Sequence, residues 1–416
     1  MLAASSAKAP APPPRAPGIP GFRRDAALSY GDGATENALV HGENLAALTR
    51  LRATFASRFR CIYLDPPFNT GRTFAEYKDA ATPDTWRAEI EARLDAMKPL
   101  LAEDGAIFVE IDDTELAPLI FAMDATFGRA NRVSIVTIVR SASTGHKAQN
   151  RGPVNVTDYL LVYAKDKTRL RLNPQVRERR GYDVAYSTFI LNRDAPFPEW
   201  KLVPLATHVT ALASARGEGK RPSRDEIERF ALSHAEGVVR FAQPRYEAVS
   251  HEARRMIDAS KARPTETLRL EREAHKDMFF RGGNRILFLA DKVRQDGARS
   301  FLVEPLTNVW DDVPFQGIAR EGGVVFTRNK KPERLVARIV AMATDPNDWV
   351  LDAYLGSGTT AAVAHKMGRR WVGIEQGAHV AELCLPRLRR VIDGEDATGI
   401  TREQSWTGGG GFGVYA

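Results

Sequence analysis

Cysteine is nearly absent from this chain: Cys61 and Cys384 are the only two in 416 residues. A lone pair so far apart excludes a disulfide framework and any zinc site built on cysteine pairs. Such usage predicts a reducing, cytoplasmic compartment. Long apolar runs are missing too. None approaches the roughly 18 residues that a membrane-spanning helix needs, so no membrane partner is expected. The lysine-bearing phosphate-loop pattern is absent, which disfavours nucleotide hydrolysis. No internal repeat is visible, which argues against a solenoid. Acids are outnumbered as well: 59 lysines and arginines face 52 aspartates and glutamates, a formal charge of +7. A basic balance favours a polyanionic partner.

What remains is ordinary for a folded chain, with 43% hydrophobic residues and length enough for two or three folding units. Residues 1–24 are rich in Ala and Pro, carry Lys8, Arg15, Arg23 and Arg24, and read as a disordered tail. In the N-terminal half, 25–165, short apolar runs alternate with helical patterns from residue 37 on, which predicts a largely parallel sheet covered on both faces. Strands are expected at Leu39–His41, Cys61–Leu64, Ala106–Ile111, Val133–Val139 and Tyr159–Tyr163. Trp86, Ile90, Leu94, Met97 and Leu101 recur at helical spacing. Residues 166–300 lose this alternation and hold a basic surplus that accounts for the whole chain's excess. There, Ser223 reads as the cap of one short helix. The C-terminal half, 301–416, regains alternation from 324 onward, with helices at Pro332–Ala343 and Thr359–Met367 and strands at Trp349–Leu351 and Trp371–Ile374. The two alternating blocks therefore read as halves of one sheet, split by a basic insert.

Two segments carry chemistry. In the first, the strand ending at Leu351 runs through Asp352-Ala353-Tyr354-Leu355 into Gly356-Ser357-Gly358-Thr359-Thr360 and then a helix. Glycines in such a turn let the backbone approach a ligand, and the helix start offers free N–H groups. Glu375 ends the next strand, where an acid commonly accepts from ribose hydroxyls. Nucleoside binding follows. In the second, the strand Cys61–Leu64 delivers Asp65-Pro66-Pro67-Phe68 to its carboxyl end. Paired prolines stiffen the turn. A carboxylate and a carbonyl can accept both hydrogens of an exocyclic amine while an aromatic ring stacks on the base, an interaction of roughly 1–3 kcal/mol.

With both segments in place, the chain resembles the permuted, beta-class amino-methyltransferases of DNA, and among them the modification subunits of type III restriction systems. The resemblance runs from about Glu36 to the C-terminus. Its further anchors are His41–Leu45, Phe108–Glu115, Asp158–Lys165, Asn329–Glu333 and Trp406–Phe412. It implies a Rossmann-like, circularly permuted seven-stranded α/β sheet with an inserted target-recognition domain. It also implies S-adenosylmethionine as cofactor, adenine N6 in double-stranded DNA as acceptor, and a second copy or a restriction subunit as partner. By position, Asp352, Gly356, Gly358 and Thr359 would line the methionine end of the cofactor, Glu375 its ribose, and Glu43 with Asn44 its adenine, with Tyr354 and Thr360 also among its contacts. Lys331, Pro332 and Glu333 would close that pocket. Asp65, Pro66, Pro67 and Phe68 would hold the target base, and Arg177, Arg179, Arg180, Lys220, Arg221 and Arg224 of the insert are candidates for DNA contact.

Rival readings keep parts of this pattern. The same grip would suit cytosine N4, and a DNA-binding subunit without catalysis would keep the insert. His41-Gly42-Glu43 is reminiscent of a zinc deaminase but lacks the paired cysteines. Asp112-Asp113 with Glu115 could belong to a metal-dependent nuclease, although their place at a strand end favours a pocket wall. The permuted reading makes one geometric demand: Asp65–Phe68 and Gly356–Thr360 must lie side by side at the carboxyl ends of neighbouring strands.

Overall fold

The computed structural model describes residues 18–73, 78–141, 152–217, 220–273, 275–297, 299–325 and 330–416. Most of the tail expected at 1–24, and Asn329, lie outside the described residues. The chain forms two units: one runs to Gln175 and resumes at Thr307, and the other is Val176–Leu306. Residues 166–175, grouped with the insert by composition, stay with the first unit. Asn173 ties them there, its backbone N–H donating to the Met342 carbonyl at 2.7 Å and its amide to the Ala341 and Thr344 carbonyls at 3.1 Å. Residues 301–306 join the insert, where Val303–Pro305 pairs with Val176–Glu178.

The first unit is built on a ten-stranded sheet. Its strands are β1 (Arg24–Gly31), β2 (Ala38–His41), β3 (Phe59–Leu64), β4 (Leu101–Ile111), β5 (Arg132–Val139), β6 (Thr157–Ala164), β7 (Val309–Trp310), β8 (Trp349–Asp352), β9 (Arg370–Glu375) and β10 (Gly411–Tyr415). Their order is β1-β10-β2-β9-β8-β3-β4-β6-β5-β7. The central run from β2 to β5 is the Rossmann-like sheet that the resemblance implied, with β6 its antiparallel member. β10 and β1 extend one edge, and the two-residue β7 extends the other. The strand bearing the glycine turn, β8, is late in the chain yet central in the sheet.

Helices cover both faces: α1 (Asn44–Phe55), α2 (Pro83–Met97), α3 (Leu116–Phe127), α4 (Glu333–Ala343), α5 (Thr359–Lys366) and α6 (Leu385–Ile392). Strand alternation decides which side chains meet which layer. Ile62, Leu64, Ile107 and Val109 pack with Leu48, Leu51, Ile90, Leu94 and Met123 of α1–α3. Cys61, Tyr63, Phe108 and Glu110 therefore point to the other face, where α4 lies against β3 and β4. The α2 pattern is realised with Trp86, Ile90, Leu94 and Met97 buried. Its start is set by Thr82, which caps the Thr85 N–H, with Pro83 in the first turn, and it passes into a 3-10 turn through Pro99.

The second unit contains a six-stranded antiparallel sheet in the order Leu202–Pro204, Thr188–Ile190, Val238–Ala242, Asn284–Phe288, Met278–Arg281 and Leu268–Leu270. Arg224–Ser233 is the helix expected after Ser223, closed by a capping box between Ser223 and Glu226. Helices Leu205–Ala215 and His251–Ala262 accompany it. Among the described residues no helix is long and apolar enough to cross a membrane.

Behind α4 and α5 the first unit buries a charge cluster. Glu333 accepts from Lys366 and Arg387, each at 2.8 Å, and Lys366 also pairs with Asp396 at 2.7 Å. Removing one partner of a buried pair leaves the other charge uncompensated. Lys366→Met is expected to lower unfolding free energy by about 3–5 kcal/mol, read from urea denaturation, with helix content retained in buffer.

Candidate functional site

β8 and β3 run parallel as neighbours, with Leu351 level with Ile62, so their carboxyl ends emerge together. Beyond them opens a cavity of about 480 Å³. Its wall includes Asp65, Pro66, Pro67 and Asn69 from one segment and Asp352, Tyr354, Gly356, Ser357, Thr359, Thr360 and Glu375 from the other. The two segments do lie side by side. Asn44 and Lys331 also line the cavity.

The cofactor-side groups are preorganised by the turn itself. Gly356 and Gly358 have φ of +55° and +83°, left-handed conformations that side chains resist. Asp352 accepts from Thr360 Oγ1 at 2.5 Å and from the Tyr354 N–H at 2.9 Å. Burial pushes its carboxyl up to about 7. Glu375 accepts from the Gly356 and Gly377 N–H groups, both at 2.8 Å. Burial opposes its charge, yet those donors and His379 hold its carboxyl below the usual range. Asn44 donates to the Ala353 carbonyl at 3.1 Å, which joins α1 to the same turn.

On the acceptor side, Trp86 Nε1 donates to the Pro67 carbonyl at 2.7 Å and fixes the proline turn. Asn69, at φ +59°, donates to Glu115 at 2.7 Å and accepts from the Ala81 N–H at 2.8 Å. Asp112 accepts from the Thr114 N–H at 2.9 Å, and Asp113 bonds Asn155. These acids brace loops; among the described residues no acid, His or Cys cluster could hold a metal. Lys331 Nζ lies 3.0 Å from Asp65 Oδ1 and 2.8 Å from Glu110 Oε1. Glu110 Oε2 in turn accepts from the Tyr63 hydroxyl at 2.7 Å. Burial raises the Asp65 carboxyl above its usual range; Lys331 opposes that shift and Glu110 adds to it.

Some expected residues stand elsewhere. Glu43 is not in the cavity wall, because its carboxylate caps α1 at the Leu45 and Ala46 N–H groups and pairs with Arg93 at 2.9 Å. Phe68 is 9% exposed and packed in the core, with Lys331 Nζ 4.7 Å from its ring centre. Pro332 is the residue before α4, and Glu333 turns into the buried charge cluster. Gly358 shapes the start of α5 without lining the cavity. In the insert, Arg177 and Arg179 pair with Glu304 at 2.9 and 3.2 Å, while Arg180, Lys220, Arg221 and Arg224 are exposed.

Sequence reasoning overlooked Trp86, Arg93 and His379 in the wall, and Arg387 behind it. Arg387 donates to Thr359 Oγ1 at 2.7 Å and supports the glycine turn from outside the cavity. Glu110 and Asp158 stood in the sequence only within longer anchor runs; an acid inside an expected strand marks Glu110, and an acid just ahead of one marks Asp158.

Residues 59–385 match a family model described as DNA methylase, of the N6 and N4 kind. A relative named as the HindVI Mod subunit of a type III restriction-modification enzyme, from Haemophilus influenzae, is 32% identical over 93% of this chain and 54% of its own length. The StyLTI Mod subunit of Salmonella typhimurium is 26% identical over 79% of this chain and 49% of its own. The chain thus spans about half the length of these curated relatives. A structure from Thermus thermophilus, named as a DNA modification methylase complexed with S-adenosyl-L-methionine, aligns at TM-score 0.40 and 14% identity, covering 91% of this chain and 99% of that one.

The turn geometry is testable by itself. At Gly358 an added Cβ would meet nothing closer than 3.6 Å, so the cost of Gly358→Ala is conformational. It is expected to be about 1–2 kcal/mol in denaturant unfolding.

Proposed function

The chain belongs to the DNA methylase family, and from that premise we propose that it transfers a methyl group from S-adenosylmethionine to the N6 amino group of adenine in double-stranded DNA. The observation that carries this reading is the convergence of Asp65-Pro66-Pro67 with Asp352, Gly356, Thr359 and Glu375 in one cavity. Similarity to Mod subunits makes a restriction subunit, or a second copy, the candidate partner. Work on chromosomal DNA would place the protein in the cytoplasm.

The residues present fit the cofactor. Glu375 gives one acceptor position per oxygen to a backbone N–H, and His379 lies 3.6 Å from Oε1; of the about four positions a carboxylate has, Oε2 keeps one for a ribose hydroxyl. Tyr354, Leu355 and Val336 supply apolar wall. Asn44, Asp352, Gly356, Thr359, Thr360 and Glu375 would hold the cofactor, and Asp65 with Pro66 the adenine. When bound, S-adenosylmethionine supplies a methyl group on a sulfonium, an already activated leaving group.

The protein's task is then alignment and charge stabilisation. Adenine must leave the duplex to reach the cavity. Its amine lone pair is delocalised into the ring. Acceptance of the amine hydrogens by the Asp65 carboxylate and the Pro66 carbonyl localises that pair toward the methyl carbon. Transfer would leave the carbon–sulfur electron pair on sulfur and oblige the amine nitrogen to release one proton. Asp65, whose burial raises its affinity for protons, suits receipt of that proton. Phe68, under Lys331, buttresses the turn. Exposed Lys220, Arg221 and Arg224 of the insert offer phosphate contacts, which add affinity without sequence preference.

Modification-sensitive long-read sequencing of DNA from cells making the protein, in a host without other adenine methylation, tests the reading. Methylated adenine at one sequence context is expected with the native chain and none with Asp65→Ala. Calorimetry should find cofactor binding by that variant within about threefold of native, because Asp65 acts on the amine. Methylated cytosine in its place would transfer the reading to cytosine N4, and unmodified DNA would sink it.

A further inference from the structure

The lysine that sequence position assigns to the cofactor pocket grips the acceptor turn. Lys331 leaves the chain just ahead of α4, yet its ammonium contacts Asp65 Oδ1 at 3.0 Å, Glu110 Oε1 at 2.8 Å and the face of Phe68 at 4.7 Å. Three contacts on three groups leave this flexible side chain little freedom. Glu110 is fully buried and is itself held by the Tyr63 hydroxyl, so the lysine is anchored from the sheet interior.

The surrounding charges give that ammonium a second duty. Asp65 is faced by Glu110 from β4, Asp158 from β6, the Tyr63 hydroxyl from β3 and Lys331 itself. Asp158 is fully buried, pairs with Arg140 at 2.9 Å and has Asp112 nearby. Three carboxylates thus share Lys331 and, farther out, Arg140. Without the lysine, Asp65 would sit in a desolvated site beside acids alone, a setting that drives a carboxyl to bind a proton.

Resting on the methyl-transfer reading above, we propose that Lys331, locked in place by Glu110 and Tyr63, is a positioning residue for Asp65: it pins Oδ1, leaves Oδ2 for the acceptor amine, and balances the charge of the carboxylate. Lys331 therefore governs the rate of transfer more than cofactor affinity. Glu110 acts oppositely in two respects: it fixes the lysine, and its negative charge works against ionisation of Asp65.

The two neighbours give the test opposite signs. The carboxyl titration of Asp65 is followed by 13C NMR in cofactor-free protein labelled at aspartate, with Asp65→Asn assigning the resonance. Native chain, Lys331→Met, Lys331→Arg and Glu110→Gln are compared, with circular dichroism confirming that each is folded. Lys331→Met is expected to move the midpoint up by at least about one pH unit, and Glu110→Gln to move it down. Lys331→Arg, which keeps the charge, stays near native. In single-turnover methylation the acid limb of the pH profile should follow these shifts, because Asp65 acts in its ionised form. At neutral pH Lys331→Met should lose about 100-fold in rate. Cofactor Kd should stay within about threefold, while Lys331→Arg recovers much of the rate.

An unmoved midpoint in Lys331→Met, or a loss that appears in cofactor Kd with the transfer rate intact, overturns the proposal. If Lys331→Met fails to fold, the Glu110→Gln shift decides, and its absence overturns the proposal. A native chain that transfers no methyl group defeats the methyl-transfer reading instead, while the titration still decides whether Lys331 controls Asp65.

Discussion

Parallel pairing of β8 with β3 is the constraint on which the rest of the site depends. It sets Leu351 level with Ile62, so Asp352 and Asp65 leave adjacent strands at one edge of the sheet. Parallel strands need long crossovers, and those crossovers clothe both faces with helices. The dry interior that results makes each polar group at the edge consequential. Asp352 needs Thr360, Glu375 needs two backbone donors, and Asp65 needs Lys331. The cavity is thus lined by groups whose orientations are already spent on one another, which is the preorganisation that charge stabilisation demands.

Burial of acids runs through the structure in two forms. At the sheet edge Asp65, Glu110 and Asp158 share few cations, and burial raises the carboxyls of Asp65 and Asp158. Behind α4 the acids Glu333 and Asp396 are matched by Lys366 and Arg387, so that cluster is a fixed brace. One chemistry of buried ion pairs yields an adjustable site on one side of α4 and a rigid support on the other. The brace touches the site through Arg387, whose guanidinium spans Glu333 and Thr359 of the glycine turn.

Much of the first unit was legible because its central strands are short apolar runs that nothing else explains. Cys61–Leu64 and Ala106–Ile111 are buried on both faces, and their unbroken apolar runs located them. β10 escaped because its glycines hide a fully buried strand. A Cβ at Gly411 would meet the Asp32 backbone at 2.4 Å, so the composition reflects close approach of neighbouring backbone, a property that hydrophobicity does not register. The insert's strands escaped because most are three to five residues long and only partly buried. Within the site, motif order located the two ligand-facing turns, but partner choice stayed hidden. Whether Lys331 turns to a cofactor or to Asp65, and whether Phe68 faces a base or the core, depends on residues far apart in the chain.

At the outer edge of the sheet, β1 and β10 lie antiparallel, and Arg23 and Ala416 exchange both backbone hydrogen bonds at 3.0 Å. β10 is hydrogen-bonded along both flanks, to β1 and to β2, so a strand poor in side chains is held by its backbone. Without β1 it would present a row of unpaired donors and acceptors at the sheet's edge, and β1 is the cover that prevents this.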